Sequence, residues 1–435
     1  MTEEDKWLSE TFDPVKDAVD PSEFASKDKK LSLQQQQAVE MCCDIHETIV
    51  SVTGGAGTGK TTVLGSLHRE LKSRKIKTAL CAPTGRAAKR VEELSKIKAR
   101  TVHRLLEYPM PDEDLDGNEV PGEPRRNRQR PFEEKCIIVD ESSMLSPTLH
   151  RQLLDALPRG GMIRFFGDNN QLPPVEEGKP PFIDMLARFP KVELSFNYRS
   201  DDEIVSNAGR ILRGMLPVRN SRFEIIYSDA PLNHLLEYTK KNKQFALDQH
   251  QIIVPTRRGK FGTDRINPSL QLKFNPRGPL LRLERYPEGK KGFVPPPLGV
   301  RAGDKYLWIK NDYKLNMFNG EIGRIEELDE EQGTLRLSAG DRSVLVEPRV
   351  KTYSHYHGTV IDYDPRKQIE LGYAITTHKA QGSEFDTVVY CMCRGHYYLL
   401  NRRNFYTAIT RAKRKVILIT DRSAMGISMR KYEGH

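Results

Sequence analysis

Short apolar runs alternate with amphipathic stretches along most of this chain. "TIVSV" (48–52), "KTALCAP" (77–83), "KCIIVD" (135–140) and "MIRFFGD" (162–168) are continuous and rich in β-branched residues. Between them lie "TTVLGSLHRELKSR", "GRAAKRVEELSK" and "SPTLHRQLLDALP", whose apolar positions recur at helical spacing. Strands apolar on both faces, each followed by a helix, predict a parallel sheet covered on both sides. The pattern restarts with "KVELSF", then "DDEIVSNAGRILRGM", "FEIIY" and "QHQIIVP", and ends with "ELGYAITT", "DTVVYCM" and "RKVILIT". Two α/β domains of one kind are expected.

Two segments break the alternation. Residues 108–132, "YPMPDEDLDGNEVPGEPRRNRQRPF", are polar and proline-rich around a DG turn signal, which predicts a hairpin or long loop. Residues 281–366 contain short strand-like runs separated by "RAGD", "FNGE", "EEQG" and "SAGD", as a small β-barrel insertion would. The expected boundaries are an N-terminal extension (1–30), a first α/β domain (31–107 and 133–196) and a second (197–280 and 367–435).

Composition refines this picture only slightly. With 435 residues the chain is too long for one core. Lys and Arg number 69 against 59 Asp and Glu, a net charge of +10, which suits a polyanionic partner. No apolar run approaches bilayer length and no secretory leader opens the sequence, so a cytoplasmic protein with no membrane association is expected. The six cysteines lack zinc-site spacing, and Cys81, Cys136, Cys391 and Cys393 fall in apolar runs as core thiols. His355 and His357 have no third ligand beside them.

The chemistry is concentrated at strand ends. "GGAGTGKT" (Gly54, Gly55, Ala56, Gly57, Thr58, Gly59, Lys60, Thr61) follows a strand and opens a helix. In that context it reads as an ATP phosphate loop, with backbone amides on phosphate oxygens, Lys60 on the outer phosphates and Thr61 on Mg2+. Thr62 belongs to the same cradle. Asp140, at the end of "KCIIVD", is the second metal-side group, and Glu141 is placed to deprotonate water. In "GDNNQLPPV", Gln171 is stiffened by Pro173 and Pro174, as a γ-phosphate sensor would be.

Taken in order, these residues resemble the superfamily one helicases of the B branch, of the RecD and Dda type. The resemblance runs from about residue 31 to 420. "LSLQQQQAV" resembles the glutamine motif, which implies that Gln35 reads adenine. "CAPTGRAAKR" and "TVHRLL" resemble the motifs that hold single-stranded DNA, implicating Pro83, Thr84, Arg86, Thr101 and His103. "FNYRS" implies that Tyr198 packs near the base and Arg199 touches the γ-phosphate. "THKAQGSEFDTVV" and "NFYTAITRA" place Thr376, His378, Gln381, Gly382 and Glu384 at a nucleotide–DNA junction, with Arg411 as a second catalytic arginine. "KNDYKLNMFNGEIG" resembles the SH3-like barrel of the RecD type, with Asn319 toward DNA, and 108–132 occupies the place of the strand-splitting pin.

The resemblance implies two RecA-like domains, ATP and Mg2+ as cofactors, and 5′-to-3′ movement on single-stranded DNA with displacement of the complement. Expected partners are single-stranded DNA, ss/ds junctions and proteins of replication or recombination, with the monomer active. An RNA helicase and a translocating ATPase subunit that does not unwind alone remain alternatives at this stage.

Overall fold

The computed structural model describes residues 31–109, 112–113, 119–120, 122–174, 179–196, 203–242, 249–284, 298–312, 314–354 and 359–432. They divide into two compact units, within Met1–Pro109 and Glu123–Ser200, and within Met110–Gly122 and Asp201–His435. The 1–30 extension, Tyr198, Arg199, His355 and His357 lie outside the described residues.

The first unit is built on a six-stranded sheet. Its strands are β1 (Ile49–Gly54), β2 (Thr78–Ala82), β3 (Ala99–Thr101), β6 (Cys136–Val139), β7 (Met162–Gly167) and β8 (Lys191–Leu194), in the order β3-β2-β6-β7-β1-β8. Every pairing is parallel. Helices α1 (Leu33–Cys43), α2 (Lys60–Ser73), α3 (Gly85–Ser95), α4 (Val102–Leu105), α5 (Pro147–Asp155) and α6 (Pro181–Arg188) accompany it.

Alternation along each strand explains the two covered faces. Ile49, Cys81, Ile137, Val139, Ile163 and Phe165 join one core, while Val50, Val52, Leu80, Ile138 and Phe166 join another. Successive side chains of a strand point to opposite faces, so a strand apolar at every position serves both. Each fully buried side chain of this kind contributes about 1.5–3 kcal/mol.

"KVELSF", read as the restart of the pattern although it falls within the 133–196 bounds expected for the first domain, does not open the second sheet: Lys191–Leu194 pairs with β1 as an edge strand of the first, Val52 opposite Val192. Only Leu194 is buried in this strand, whereas β1, β6 and β7 are buried at every position, because an edge strand has one neighbour.

The second unit has a five-stranded parallel sheet, ordered β20-β10-β21-β22-β9. Its strands are β9 (Phe223–Tyr227), β10 (His250–Val254), β20 (Ala374–Thr376), β21 (Phe385–Met392) and β22 (Ala412–Thr420). Its helices are α7 (Glu203–Leu212), α8 (Pro231–Lys241), α9 (Thr263–Phe274), α10 (Thr377–Ala380), α11 (Arg402–Ile409) and α12 (Arg422–Arg430). Ile252, Val389 and Ile417 lie in one core, and Ile253, Val388 and Leu418 in the other.

A second, antiparallel sheet in this unit is ordered β16-β15-β14-β13-β19. It comprises β13 (Lys305–Trp308), β14 (Ile322–Asp329), β15 (Thr334–Ala339), β16 (Arg342–Val346) and β19 (Ile369–Leu371). Strands β11 (Leu281–Leu283) and β12 (Leu298–Val300) form a separate antiparallel pair, as do β17 (Val350–Ser354) and β18 (Thr359–Tyr363).

"ELGYAITT", read as one strand, is two. Ile369–Leu371 pairs antiparallel with β13, and Ala374–Thr376 pairs parallel with β10. Gly372 makes the crossing feasible, since a Cβ there would meet Tyr306 O at 2.6 Å. The antiparallel sheet therefore draws its fifth strand from beyond residue 366, the boundary expected for the insertion.

Within 108–132, β4 (Asp112–Glu113) and β5 (Glu119–Val120) form a two-stranded antiparallel hairpin. The arginines that follow are held by the first unit. Arg126 pairs with Glu107 at 2.7 Å and Glu133 at 3.3 Å, Arg130 with Glu107 at 3.1 Å, and Arg128 with Asp155 at 3.1 Å. Three of the four arginines of "PRRNRQR" are thus anchored.

Candidate active site

The C-terminal end of β1 runs directly into the phosphate loop, and α2 begins at Lys60. Gly57 and Gly59 both have φ 83°, the left-handed region that glycine enters without steric cost. At Gly54 a Cβ would meet Thr58 Oγ1 at 2.6 Å and Leu194 O at 2.9 Å. Thr58 in turn donates to Gly55 O at 2.9 Å, closing the loop on itself.

Lys60 Nζ donates to Gly54 O at 2.6 Å and Gly55 O at 2.9 Å. The ammonium is thus held inside the cradle, on main-chain oxygens that a phosphate oxygen can replace. Ala56 belongs to the loop, and Thr61 and Thr62 to the first turn of α2, Thr62 being exposed. Gln35, buried, donates through Nε2 to Thr58 O at 3.4 Å and takes part in a capping box with Ser32. The glutamine helix is thereby tied to the phosphate loop.

Asp140 follows β6, with its amide donating to Cys81 O at 2.9 Å. Its carboxyl is pushed up to about 6, first by desolvation and then by the neighbouring Glu141, against the opposing charges of Lys60 and Arg90. Glu141 stands at φ 51°, a left-handed conformation that a non-glycine residue adopts at a cost of about 1–3 kcal/mol. Such strain is held where the surrounding chain over-determines it.

Gln171 is 5% exposed. Its main-chain amide donates to Asp168 O at 3.1 Å and its Nε2 to Asp168 Oδ2 at 3.4 Å, while Oε1 has no hydrogen-bond partner among the described residues. Asp168 also accepts from the Asn170 amide at 3.0 Å. Sequence reasoning singled out Gln171 and the prolines, and passed over Asp168, the fully buried carboxylate that shapes the turn. The acid two residues before an Asn is the signal that was available for it.

The residues implicated in holding DNA in the first unit lie beside β2 and β3. Thr84 Oγ1 accepts from Ala87 N at 3.2 Å and Thr101 Oγ1 from Arg104 N at 3.1 Å, so both hydroxyls cap helices. Thr101 is buried and opposite Ala82 in the strand register. Pro83 and Arg86 are half-buried beside Thr84, and the His103 ring lies 5.1 Å from that of Tyr108.

In the second unit Thr376 repeats the capping device, accepting from Lys379 N at 3.3 Å. Burial holds His378 below the usual histidine range and so neutral near pH 7. Gly382 has φ 70° and Gln381 is buried. Glu384 lies 3.9 Å from Lys413. Arg411 is 3% exposed, with its guanidinium on Thr407 O at 3.1 Å, Thr410 Oγ1 at 3.2 Å and Ser383 O at 3.5 Å. Asn319 Oδ1 accepts from Lys379 Nζ at 2.8 Å, a partner not foreseen from the sequence.

The first unit therefore gathers Gln35, the 54–62 loop, Asp140, Glu141 and Gln171 around the ends of adjacent strands. This arrangement fits a nucleoside triphosphate, with amides and Lys60 toward the phosphates. A metal there would be held by Thr61, Asp140 and substrate oxygens. That matches magnesium, which takes few protein ligands; among the described residues there is no cluster of three or more His, Cys, Asp or Glu to hold a cation alone.

The fold and this site define a phosphate-loop protein with RecA-like parallel sheets. The AAA domain family matches residues 35–177, and the UvrD-like helicase C-terminal domain matches residues 371–419. The ATP-dependent RecD2 DNA helicase of Deinococcus radiodurans is 31% identical over 410 residues, covering 92% of this chain and 51% of that protein. The RecBCD enzyme subunit RecD of Mycolicibacterium smegmatis is 27% identical, covering 86% of this chain and 69% of that one. The chain thus spans about half the length of the first relative and about two thirds of the second. A Bacteroides Pif1 helicase solved with ADP-AlF3 and ssDNA shares the fold, with a TM-score of 0.59 at 20% identity over 92% of this chain and 94% of that one. The chain is thus similar in sequence to the RecD2 and RecD proteins and shares its fold with the Pif1 helicase.

Proposed function

We propose that this chain is an ATP- and Mg2+-dependent DNA helicase that moves 5′-to-3′ on single-stranded DNA and displaces the complementary strand. The observation that supports the reading is that Lys60, Asp140, Glu141 and Gln171 all follow the C-terminal ends of β1, β6 and β7, neighbours in one parallel sheet. The RecD2 and RecD relatives support DNA as the track.

In this reading the loop amides and Lys60 bind the triphosphate, and Thr61 and Asp140 hold the magnesium, which neutralises phosphate charge. Glu141 accepts the proton of the attacking water, and Gln171 senses the γ-phosphate. Arg199 and Arg411 stabilise charge on the transferred oxygens, an arginine role worth about 10³–10⁵ in rate. Arg411 would leave its main-chain acceptors to do so. Pro83, Thr84, Arg86, Thr101 and His103 hold the strand in one domain, and Thr376, His378 and Asn319 in the other. Tyr198 packs by the base, and Gly382 and Glu384 lie at the junction. The hairpin of 108–132 serves as the pin, and the antiparallel sheet as an SH3-like barrel. The active form is a monomer in the cytoplasm, acting at ss/ds junctions with replication or recombination proteins. Among the described residues no helix is long and apolar enough to cross a membrane.

The test is strand displacement on two duplexes that differ only in a 5′ or a 3′ single-stranded tail, with ATP and magnesium and with Lys60→Ala as the inactive control. Unwinding from the 5′ tail alone is expected. Unwinding from the 3′ tail alone overturns the polarity. DNA-stimulated hydrolysis with neither duplex opened favours a translocase that needs a partner, and stimulation by RNA but not DNA overturns the substrate.

A further inference from the structure

A cavity of about 500 Å³ opens on the first unit away from the phosphate loop. Its lining includes Arg69 and Lys72 of α2, Lys96 and Lys98 of the turn after α3, and Arg100 of the edge strand β3. All five are exposed, against a single lining carboxylate, Glu134. Among the described residues, none of the five has a carboxylate ion-pair partner. At the floor, the His68 Nδ1 and Thr78 Oγ1 are hydrogen-bonded at 2.8 Å above Ala79 and Leu80. The positive field is felt there: burial and then the charges of Lys72 and Arg69 lower the His68 pKa.

The position is as informative as the charge. Lys72 lies twelve residues along α2 from Lys60, about 18 Å at 1.5 Å per residue. Thr78 begins β2 while Thr84 follows its end, so the part of the lining on β2 lies at the opposite end of that strand from Thr84, while on β3 the lining reaches Arg100, the residue before Thr101. A strand held at Thr84 does not account for Arg69, Lys72, Lys96 and Lys98.

The lining also discriminates between occupants. A small-molecule site encloses its ligand in a mostly apolar pocket with a few placed polar groups. Here the charged heads ring the mouth and the inner polar pair is already satisfied. That suits a phosphodiester backbone passing over the rim, which asks for point charges and no base readout.

We propose that this cavity rim is a second nucleic-acid contact, receiving the backbone phosphates of a strand other than the one tracked, as at a forked junction. The proposal rests on the helicase reading. It is tested with Lys72→Gln/Lys98→Gln in the full chain, both positions being exposed. Binding is measured against salt on a forked duplex and on single-stranded DNA, and binding of free tripolyphosphate is measured alongside.

On the fork, the slope of log affinity against log salt should fall by about 2, two phosphate contacts at about 0.9 each. Single-strand binding and single-strand-stimulated ATP hydrolysis should match the unaltered protein. An unchanged fork slope overturns the proposal, as does an equal loss on single strand and fork. Weakened tripolyphosphate binding with intact fork binding overturns it too, and assigns the cavity to a small polyphosphate. If the unaltered protein binds no nucleic acid, the helicase reading itself fails and takes this inference with it.

Discussion

Thr53 and Asn169 meet between adjacent strands of the first sheet, the Thr53 hydroxyl donating to Asn169 Oδ1 at 3.3 Å. Thr53 is the penultimate residue of β1, opposite Gly167 of β7 in register. The strand that delivers the phosphate loop is therefore latched to the turn that delivers Gln171. Thr53→Val and Asn169→Ala should each cost about 0.5–1.5 kcal/mol. The double-mutant cycle, read by urea denaturation, should give a coupling of the same order. Additive costs would mean the latch is unimportant.

Asp140 should make the nucleotide-free protein less stable at neutral pH. Its pKa in the folded protein, about 6, lies above the ordinary aspartate value of 3.8. The folded state therefore binds the proton more tightly, and this group's contribution falls as pH rises from about 4 to about 6 and stays low above that. Asp140→Asn, which cannot ionise, should raise stability by about 1–2 kcal/mol at pH 7.5 and by little at pH 4.5. It should also abolish hydrolysis. Equal denaturation midpoints for the two proteins at pH 7.5 would contradict the burial argument.

Glu141→Gln keeps the size and the left-handed backbone of the residue while removing the base. Nucleotide binding should persist, and kcat should fall about 10²–10⁴-fold, the usual contribution of a general base. Single-turnover hydrolysis and nucleotide titration separate the two. Normal turnover would remove Glu141 from the chemistry.

Arg164 is fully buried in β7 and donates to the carbonyls of Cys42 at 2.6 Å, Asp44 at 2.7 Å and Glu47 at 2.9 Å. It ties the end of α1, the helix that carries Gln35, to the strand that leads to Gln171. Arg164→Met should destabilise the protein by about 3 kcal/mol or more, because several buried carbonyls lose their donor. A melting curve displaced by less than a few degrees would show that water replaces the guanidinium.

Lys379 is held below the usual lysine range by desolvation, with Asn319 as its acceptor. Asn319→Ala strands that half-buried ammonium and should cost about 1–2 kcal/mol, whereas Asn319→Asp should recover the loss. Thermal melts of the two variants decide it, and equal stabilities would sink the tether.

The sequence by itself determined the parallel α/β plan and the phosphate site, for a local reason. The amides of 54–61, Lys60 and the strand-to-helix turn are all supplied by one short segment, so spacing is enough. The acids at 140 and 141 and Gln171 were legible because each ends a continuous apolar strand. Tertiary structure decided what no local pattern encodes. Lys191–Leu194 joins the first sheet because β1 offers a free edge, and 369–376 splits between two sheets at Gly372, where the backbone passes too close to Tyr306 for any side chain. Arg164 and Lys379 look like ordinary charged residues in the string. Only packing reveals Arg164 as buried and Lys379 as half-buried, each bonded to a segment far away in sequence, since such partners are set by the fold and not by neighbours along the chain.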